Sequence, residues 1–273
     1  MSIVLITDNS IKGEVLANLI VRADLELKLV VVEDTSMKEQ ASRSFGGSLL
    51  GVFAPPIKWL SSRVKFSRSE REALRYEQES IVKANRLVDD YINSLGVTGR
   101  PAGVEYLETP SLNEATVVTA VKNAQPEICV VLGVSNIKQR ITDIPKIGTI
   151  NAHTSILPEY RGAGSEFWQC YNEDYRNVGI TYHFVDTGLE DSGKILYQWK
   201  QDVDENPEPN LLRANNSIAK LKNYVAVIES VLGGTVQLKD LGQGTTPTYK
   251  YRDITEDKRI KLYTRIVSKN GKG

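Results

Sequence analysis

Cysteine and histidine are scarce in this chain, with two of each in 273 residues. Cys129 stands in an apolar strand-like run and Cys170 in an aromatic helix-like stretch, and neither has CxxC or other zinc-ligand spacing. Both are read as buried thiols, and no metal is expected. Excess charge is also missing: 34 basic residues balance 34 acidic ones, which removes the electrostatic term that drives nucleic-acid binding. Nucleic acid is therefore not the expected partner. The opening residues have no cationic stretch ahead of their apolar run, and that run is too short for a signal-peptide core or a membrane span. A cytoplasmic protein without a membrane partner is expected. Finally, Thr7, Asp8, Asn9 and Ser10 follow the first apolar run where a dinucleotide-binding oxidoreductase would carry G-x-G-x-x-G, which argues against that class. There is no internal repeat or low-complexity tract.

Hydrophobic residues make up 41% of the chain, enough for a substantial core. Residues 3–7 read as a strand, Ser10 as an N-cap, 11–21 as a helix and 27–32 as a second strand. Ser111 with Glu114 has the spacing of a capping box ahead of a helix to residue 123, and 128–132 is a continuous apolar run of the kind buried on both faces. Strands alternating with helices predict an α/β fold: a doubly wound, mostly parallel open sheet, Rossmann-like in form.

Between these parts, Ser69 with Glu72 reads as another capping box, opening a long amphipathic helix through Leu74, Ile81, Leu87, Tyr91 and Leu95 that Gly96 stops. Its apolar stripe is read first as core and second as a homodimer interface. The glycine- and proline-containing stretch at 45–60 reads either as a loop folding over a site or as an irregular packed connection. After residue 200 the chain grows more polar. A break at 206–210 precedes a helix through Leu211, Ile218, Leu221, Val225, Ile228 and Leu232, then short strand candidates at 236–241 and 248–251, with the last five residues frayed. The expected division is a catalytic domain over 1–204 with an inserted helical segment at about 36–103, and a small C-terminal helix and hairpin extension over 205–273.

Both histidines, His153 and His183, fall in the most informative stretch. If 149–153 is a strand, Asn151 and His153 lie two apart and share a side. An amide donor beside an imidazole can hold a carbonyl oxygen that turns tetrahedral and negative. The strand at 179–185 leads into an acidic loop with Asp186, Glu190 and Asp191, any of which could orient His153 or take a proton from an attacking amine. On Asn-x-His alone, a structural histidine is the stronger reading.

The wider pattern is Asn151-Ala152-His153, then Ser155-Ile156-Leu157-Pro158-Glu159-Tyr160-Arg161-Gly162, then His183-Phe184-Val185 and Leu189-Glu190-Asp191-Ser192-Gly193. It resembles the formyltransferase family that uses 10-formyltetrahydrofolate, strongly over 128–197 and diffusely over the opening strands. The resemblance implies that Asn151 and His153 polarise the formyl oxygen and that an acidic residue holds His153 and helps remove the amine proton. It further implies that 10-formyltetrahydrofolate is the donor, with the loop after the buried strand meeting its pterin through Leu132, Gly133, Val134, Ser135 and Ile137, and with Val185 and Asp186 across the pocket. The chain has one residue more than the family's Leu-Asp-x-Gly. Asp191 is preferred because Asp-Ser-Gly keeps the spacing into the next strand, with Glu190 as the alternative; Thr154 stands where many members have proline. His183 reads as a satisfied strand histidine, or as support near the folate. Arg161 reads equally as an acceptor-phosphate contact or a solvated charge, and Trp168 and Tyr171 as core. The expected acceptor is a small-molecule primary amine, foremost a nucleotide-linked amino sugar. Glycinamide ribonucleotide and methionyl-tRNA are alternatives, and a non-catalytic folate- or partner-binding relative is the rival from another class.

Overall fold

The run at 128–132 becomes the central strand of a seven-stranded sheet. In the computed structural model, which describes residues 1–34, 36, 66–134, 137–186 and 191–270, the sheet comprises β1 (Ser2–Asp8), β2 (Glu26–Glu33), β3 (Glu105–Thr109), β4 (Ile128–Leu132), β5 (Gly148–His153), β6 (Gly179–Phe184) and β7 (Ile195–Lys200). Their order is β3-β2-β1-β4-β5-β6-β7. The first five in chain order run parallel, and β6 and β7 extend the sheet antiparallel. All five residues of β4 are buried, as its unbroken apolar sequence requires. Chain order reverses between β1 and β4, and such a reversal opens a crevice at the strands' carboxyl ends where ligands bind in open α/β sheets.

The helices cover both faces: α1 (Ile11–Arg22), α2 (Arg68–Ser94), α3 (Ala115–Ala124), the single turn α4 (Gln139–Thr142), α5 (Ser165–Tyr171), α6 (Pro209–Leu232) and α7 (Glu256–Asn270). Helix α2 starts two residues earlier than the sequence predicts. Its capping box is Ser67 with Glu70, each side chain bonded to the other's backbone N–H. Two overlapping Ser-x-x-Glu frames stand here, and the upstream one is used. The stripe of α2 is core in part: Tyr91 and Leu95 join the main cluster with Val88 and Ile92, and Ala73 and Tyr76 a second one, while Leu87 is exposed. At α3 the Ser111–Glu114 capping box does not form. Glu114 is itself the N-cap, without a side-chain bond, and the Ser111 N–H donates to the Thr109 hydroxyl. Ser10 does precede α1, yet its hydroxyl donates to Asp8 at 2.5 Å instead of capping. The segment at 45–60 lies outside the described residues.

Packing continues past residue 205. Helix α6 buries Ala219, Leu221, Tyr224, Val227, Ile228 and Val231 in the same cluster as the sheet, and the Tyr224 hydroxyl lies 2.7 Å from the Val131 carbonyl and 3.2 Å from that of Ile150. The expected hairpin beyond it is replaced by two separate bridges, Lys239 to Ile195 and Tyr249 to Gly162. Each segment finds its partner in the body of the fold, not in the other segment. Helix α7, which the sequence reading did not foresee, seats Leu262, Tyr263 and Ile266 in a cluster with Ala73, Phe167 and Trp168. Trp168 is thus core, as expected, and Tyr171 packs at the edge of the same cluster. Among the described residues no helix is long and apolar enough to cross a membrane.

Candidate active site

Strand β5 ends at the crevice, and its alternation puts Asn151 and His153 on one side. Antiparallel pairing sets Asn151 opposite His183 and His153 opposite Thr181. Asp191 enters from the turn before β7 in a left-handed conformation, φ 49°. Two residues later Gly193 has φ 108°, and a Cβ there would stand 2.0 Å from the Phe184 carbonyl oxygen. Only glycine fits that approach.

Asp191 Oδ2 lies 3.2 Å from His153 Nδ1 and accepts the Gly162 N–H at 2.7 Å. The other ring nitrogen, Nε2, donates to the Tyr160 carbonyl at 2.8 Å, with the Ser165 hydroxyl at 3.4 Å. His153 is 6% exposed. Burial by itself would lower the imidazole, but the charge and hydrogen bond of Asp191 and the Tyr160 carbonyl outweigh it, so the net direction is upward. Burial would likewise raise Asp191, yet the His153 charge and bond, with the Gly162 N–H, pull it down to about 2. An imidazolium held on a carboxylate is the state this geometry favours.

His183 sits behind Asn151. Its Nδ1 points to the carbonyls of Phe184 at 2.8 Å and Ser192 at 3.0 Å, which assigns the proton to Nδ1 and leaves Nε2 to accept from Asn151 Nδ2 at 3.4 Å. Burial lowers its pKa, consistent with a neutral ring. The histidine is satisfied within its strand, as expected, and it also orients the Asn151 amide. Cross-strand register decides this contact, and one sequence does not display register. Glu190, the alternative carboxylate, lies outside the described residues.

The profile of the formyl transferase family matches residues 66–228. The chain belongs to that family. Curated relatives similar to this formyl transferase chain include methionyl-tRNA formyltransferases from Alkaliphilus oremlandii, 36% identical over 34% of this chain and 29% of the relative, and from Halothermothrix orenii, 28% identical over 59% and 46%. The matched stretches thus cover less than half of those relatives' lengths. The fold is shared with a 4-N formyltransferase from Francisella tularensis (TM-score 0.57, 10% identity, 96% of this chain and 86% of that one). It is also shared with a glycinamide ribonucleotide transformylase from Symbiobacterium toebii (0.55, 15%, 88% and 94%), and with a sugar 3N-formyl transferase solved in the presence of dTDP and 5-N-formyl-THF (0.55, 14%, 97% and 79%).

The positions expected to meet the folate divide. Leu132 is buried in the main cluster, and Ile137 in a third cluster, formed with Val4, Ile6 and Val131, against which Val134 packs, so their side chains serve the core. Gly133, with φ 71° and close against Asp8, turns the chain at the crevice. Ser135 lies outside the described residues. Val185 is half-buried and donates its N–H to the Thr149 carbonyl, while Asp186 is exposed. Arg161 is half-buried in the loop whose carbonyl accepts the Tyr249 N–H. On the other side of β1, a cavity of about 220 Å³ is lined by residues that include Asp8, Asn9, Asp34, Arg100 and Tyr106.

Proposed function

We propose that this chain is an N-formyltransferase that moves a formyl group from 10-formyltetrahydrofolate to the primary amine of a small molecule. One observation carries the reading: a charge-stabilised His153–Asp191 pair and an oriented Asn151 amide share the carboxyl end of β5, at the crevice. When the amine attacks the formyl carbon, negative charge develops on its oxygen. The Asn151 amide donates to that oxygen, and the buried His153 imidazolium adds positive charge where water is scarce. Asp191 keeps His153 protonated. The pairing with His153 holds the Asp191 carboxylate low and makes it a weak base, so its main task is holding the histidine. The amine proton leaves through water, and the tetrahedral intermediate collapses by breaking the bond from the formyl carbon to folate N10, which takes up a proton from water as tetrahydrofolate departs. The loop after β4 and residues 185–186 would flank the donor, through the backbone of Gly133 and Val134 in particular.

A nucleotide-linked amino sugar is the favoured acceptor. Two fold-level neighbours that span nearly all of this chain are a sugar 3N-formyl transferase solved with dTDP and a 4-N formyltransferase, and the balanced charge supplies no net attraction to a tRNA. Aminoacyl-tRNA remains the second reading because the sequence relatives are methionyl-tRNA enzymes. The proposal is tested by absorbance-monitored release of tetrahydrofolate from 10-formyltetrahydrofolate. The acceptor panel contains dTDP-linked 3-amino and 4-amino sugars, glycinamide ribonucleotide and methionyl-tRNA. Release with an amino sugar alone is expected. Release with methionyl-tRNA alone would replace the acceptor, and binding of folate without release on any acceptor would favour a non-catalytic relative.

A further inference from the structure

One charged side chain at the crevice has no role so far. Lys220 lies on α6 one turn after Asn216 and one turn before Tyr224, and residues four apart share a helix face. Both flanking residues are anchored: Asn216 donates to Glu166 of α5 at 2.9 Å, and Tyr224 reaches the carbonyls of β4 and β5. The Lys220 carbonyl is fixed too, accepting the Tyr182 hydroxyl at 2.8 Å. The half-buried lysine is therefore carried on a rigid stripe facing the end of β5. The charges around it are Glu166 of α5, Asp191 before β7, Asp8 at the end of β1 and Lys12 of α1, and His153 of β5 senses it in turn. Among the described residues no carboxylate comes within ion-pairing distance of its Nζ. A lysine drawn into a protein wall and surrounded by carboxylates, yet bonded to none, keeps its donors for something else.

We propose that Lys220 recognises the acceptor, its ammonium donating to a hydroxyl oxygen of a sugar-like amine whose hydroxyl protons are received by the carboxylate of Asp8. This rests on the formyl-transfer reading and narrows its acceptor. A hydroxyl suits the site better than a phosphate, because a further anion would face Glu166, Asp8 and Asp191 together, whereas a hydroxyl both accepts from the lysine and donates to a carboxylate. Asp8 is set for this, with Oδ1 held by the N–H and hydroxyl of Ser10.

Burial holds the Lys220 ammonium down at about 8. A ligand oxygen would supply the missing partner and favour the charged form. Acceptor binding is then strongest below pH 8 and weakens as pH rises through that value. The contribution of His153 is separated by substitution at Lys220 itself.

The experiment uses the whole protein with 10-formyltetrahydrofolate and a dTDP-linked 3-amino or 4-amino sugar, measuring KM for each substrate from pH 6.5 to 9.5 in wild type, Lys220→Met and Lys220→Arg. Expected is an acceptor KM about tenfold higher or more in Lys220→Met, the loss of one charge-assisted hydrogen bond, with the donor KM unmoved. The wild-type rise in acceptor KM above pH 8 should be absent in Lys220→Met and displaced upward in Lys220→Arg. An unchanged acceptor KM in Lys220→Met, or an alkaline rise that survives there, overturns the assignment while leaving formyl transfer intact. If Lys220→Met does not fold, the wild-type and Lys220→Arg profiles decide. A wild type inactive on these amino sugars overturns the amino-sugar reading itself, and with it this inference.

Discussion

Asp191 and His153 face each other at 3.2 Å, Oδ2 to Nδ1, and the same carboxylate oxygen is bound by the Gly162 N–H. With Tyr160 on Nε2, the imidazole is gripped at both nitrogens by oxygens. That arrangement satisfies a cation and would leave one nitrogen of a neutral ring facing an acceptor with no proton between them.

The grip should be visible in titration. With two histidines in the chain, NMR of the ring protons gives two resolvable curves. His153 should titrate above 6.5 and His183 below it. In Asp191→Asn, burial acts on His153 with its main opposing charge gone, and its midpoint should drop below 6.5. A His153 midpoint unmoved by Asp191→Asn would refute the pairing.

The same shifts predict how stability varies with pH. Asp191 is depressed from 3.8 to about 2, so its contribution is present above pH 3.8 and is lost as pH falls toward 2. His153 is raised from 6.5, so its contribution is full below 6.5 and is lost as pH rises through its folded value. Urea unfolding should therefore show the largest gap between wild type and Asp191→Asn between pH 3.8 and 6.5, narrowing in alkali. A gap that widens with pH would contradict the assignment.

Much of the frame was legible in the sequence. Strand β4 occupies 128–132 as read, because an apolar run bounded by Pro126 and Gly133 has little choice. Strands β1 and β2 run one residue further at each end; the added residues are polar, and two of them, Ser2 and Glu33, are nevertheless buried, which an apolar-run reading does not anticipate. Asn151 and His153 share a side by strand periodicity alone. Long-range partners were not legible. That His183 would back Asn151 depends on β5–β6 register, and that Lys220 would face β5 depends on where α6 docks. Helix α7 did carry a signal: Ile260, Tyr263 and Ile266 are spaced by three among charged residues.

Helix α7 is tied to α2 by a two-pronged bond from Arg259 to the buried carboxylate of Glu77, at 2.8 and 2.6 Å. Arg259→Ala should cost about 2 kcal/mol, below the usual range for breaking a buried pair because Arg259 is about one-third exposed. Denaturant unfolding would measure it, and a loss under about 0.5 kcal/mol would show the pair to be surface-like.

At Gly193, a methyl group has no room and the backbone no tolerance. Gly193→Ala should destabilise the protein by about 2 kcal/mol or more and displace Asp191, lowering the His153 titration midpoint as Asp191→Asn does. A stable Gly193→Ala protein with an unshifted His153 would show that this turn does not position the carboxylate.

The most direct test of the central claim is single-turnover formyl transfer by wild type, Asn151→Ala, His153→Ala, Asp191→Asn and Glu190→Gln on whichever acceptor gives wild-type turnover, with donor affinity measured in parallel. The account predicts losses of about a hundredfold or more for the first three variants, the scale of removing an oxyanion-stabilising group, with folate still bound and Glu190→Gln near wild type. Near-wild-type transfer by His153→Ala, or a loss at Glu190 in place of Asp191, would contradict it.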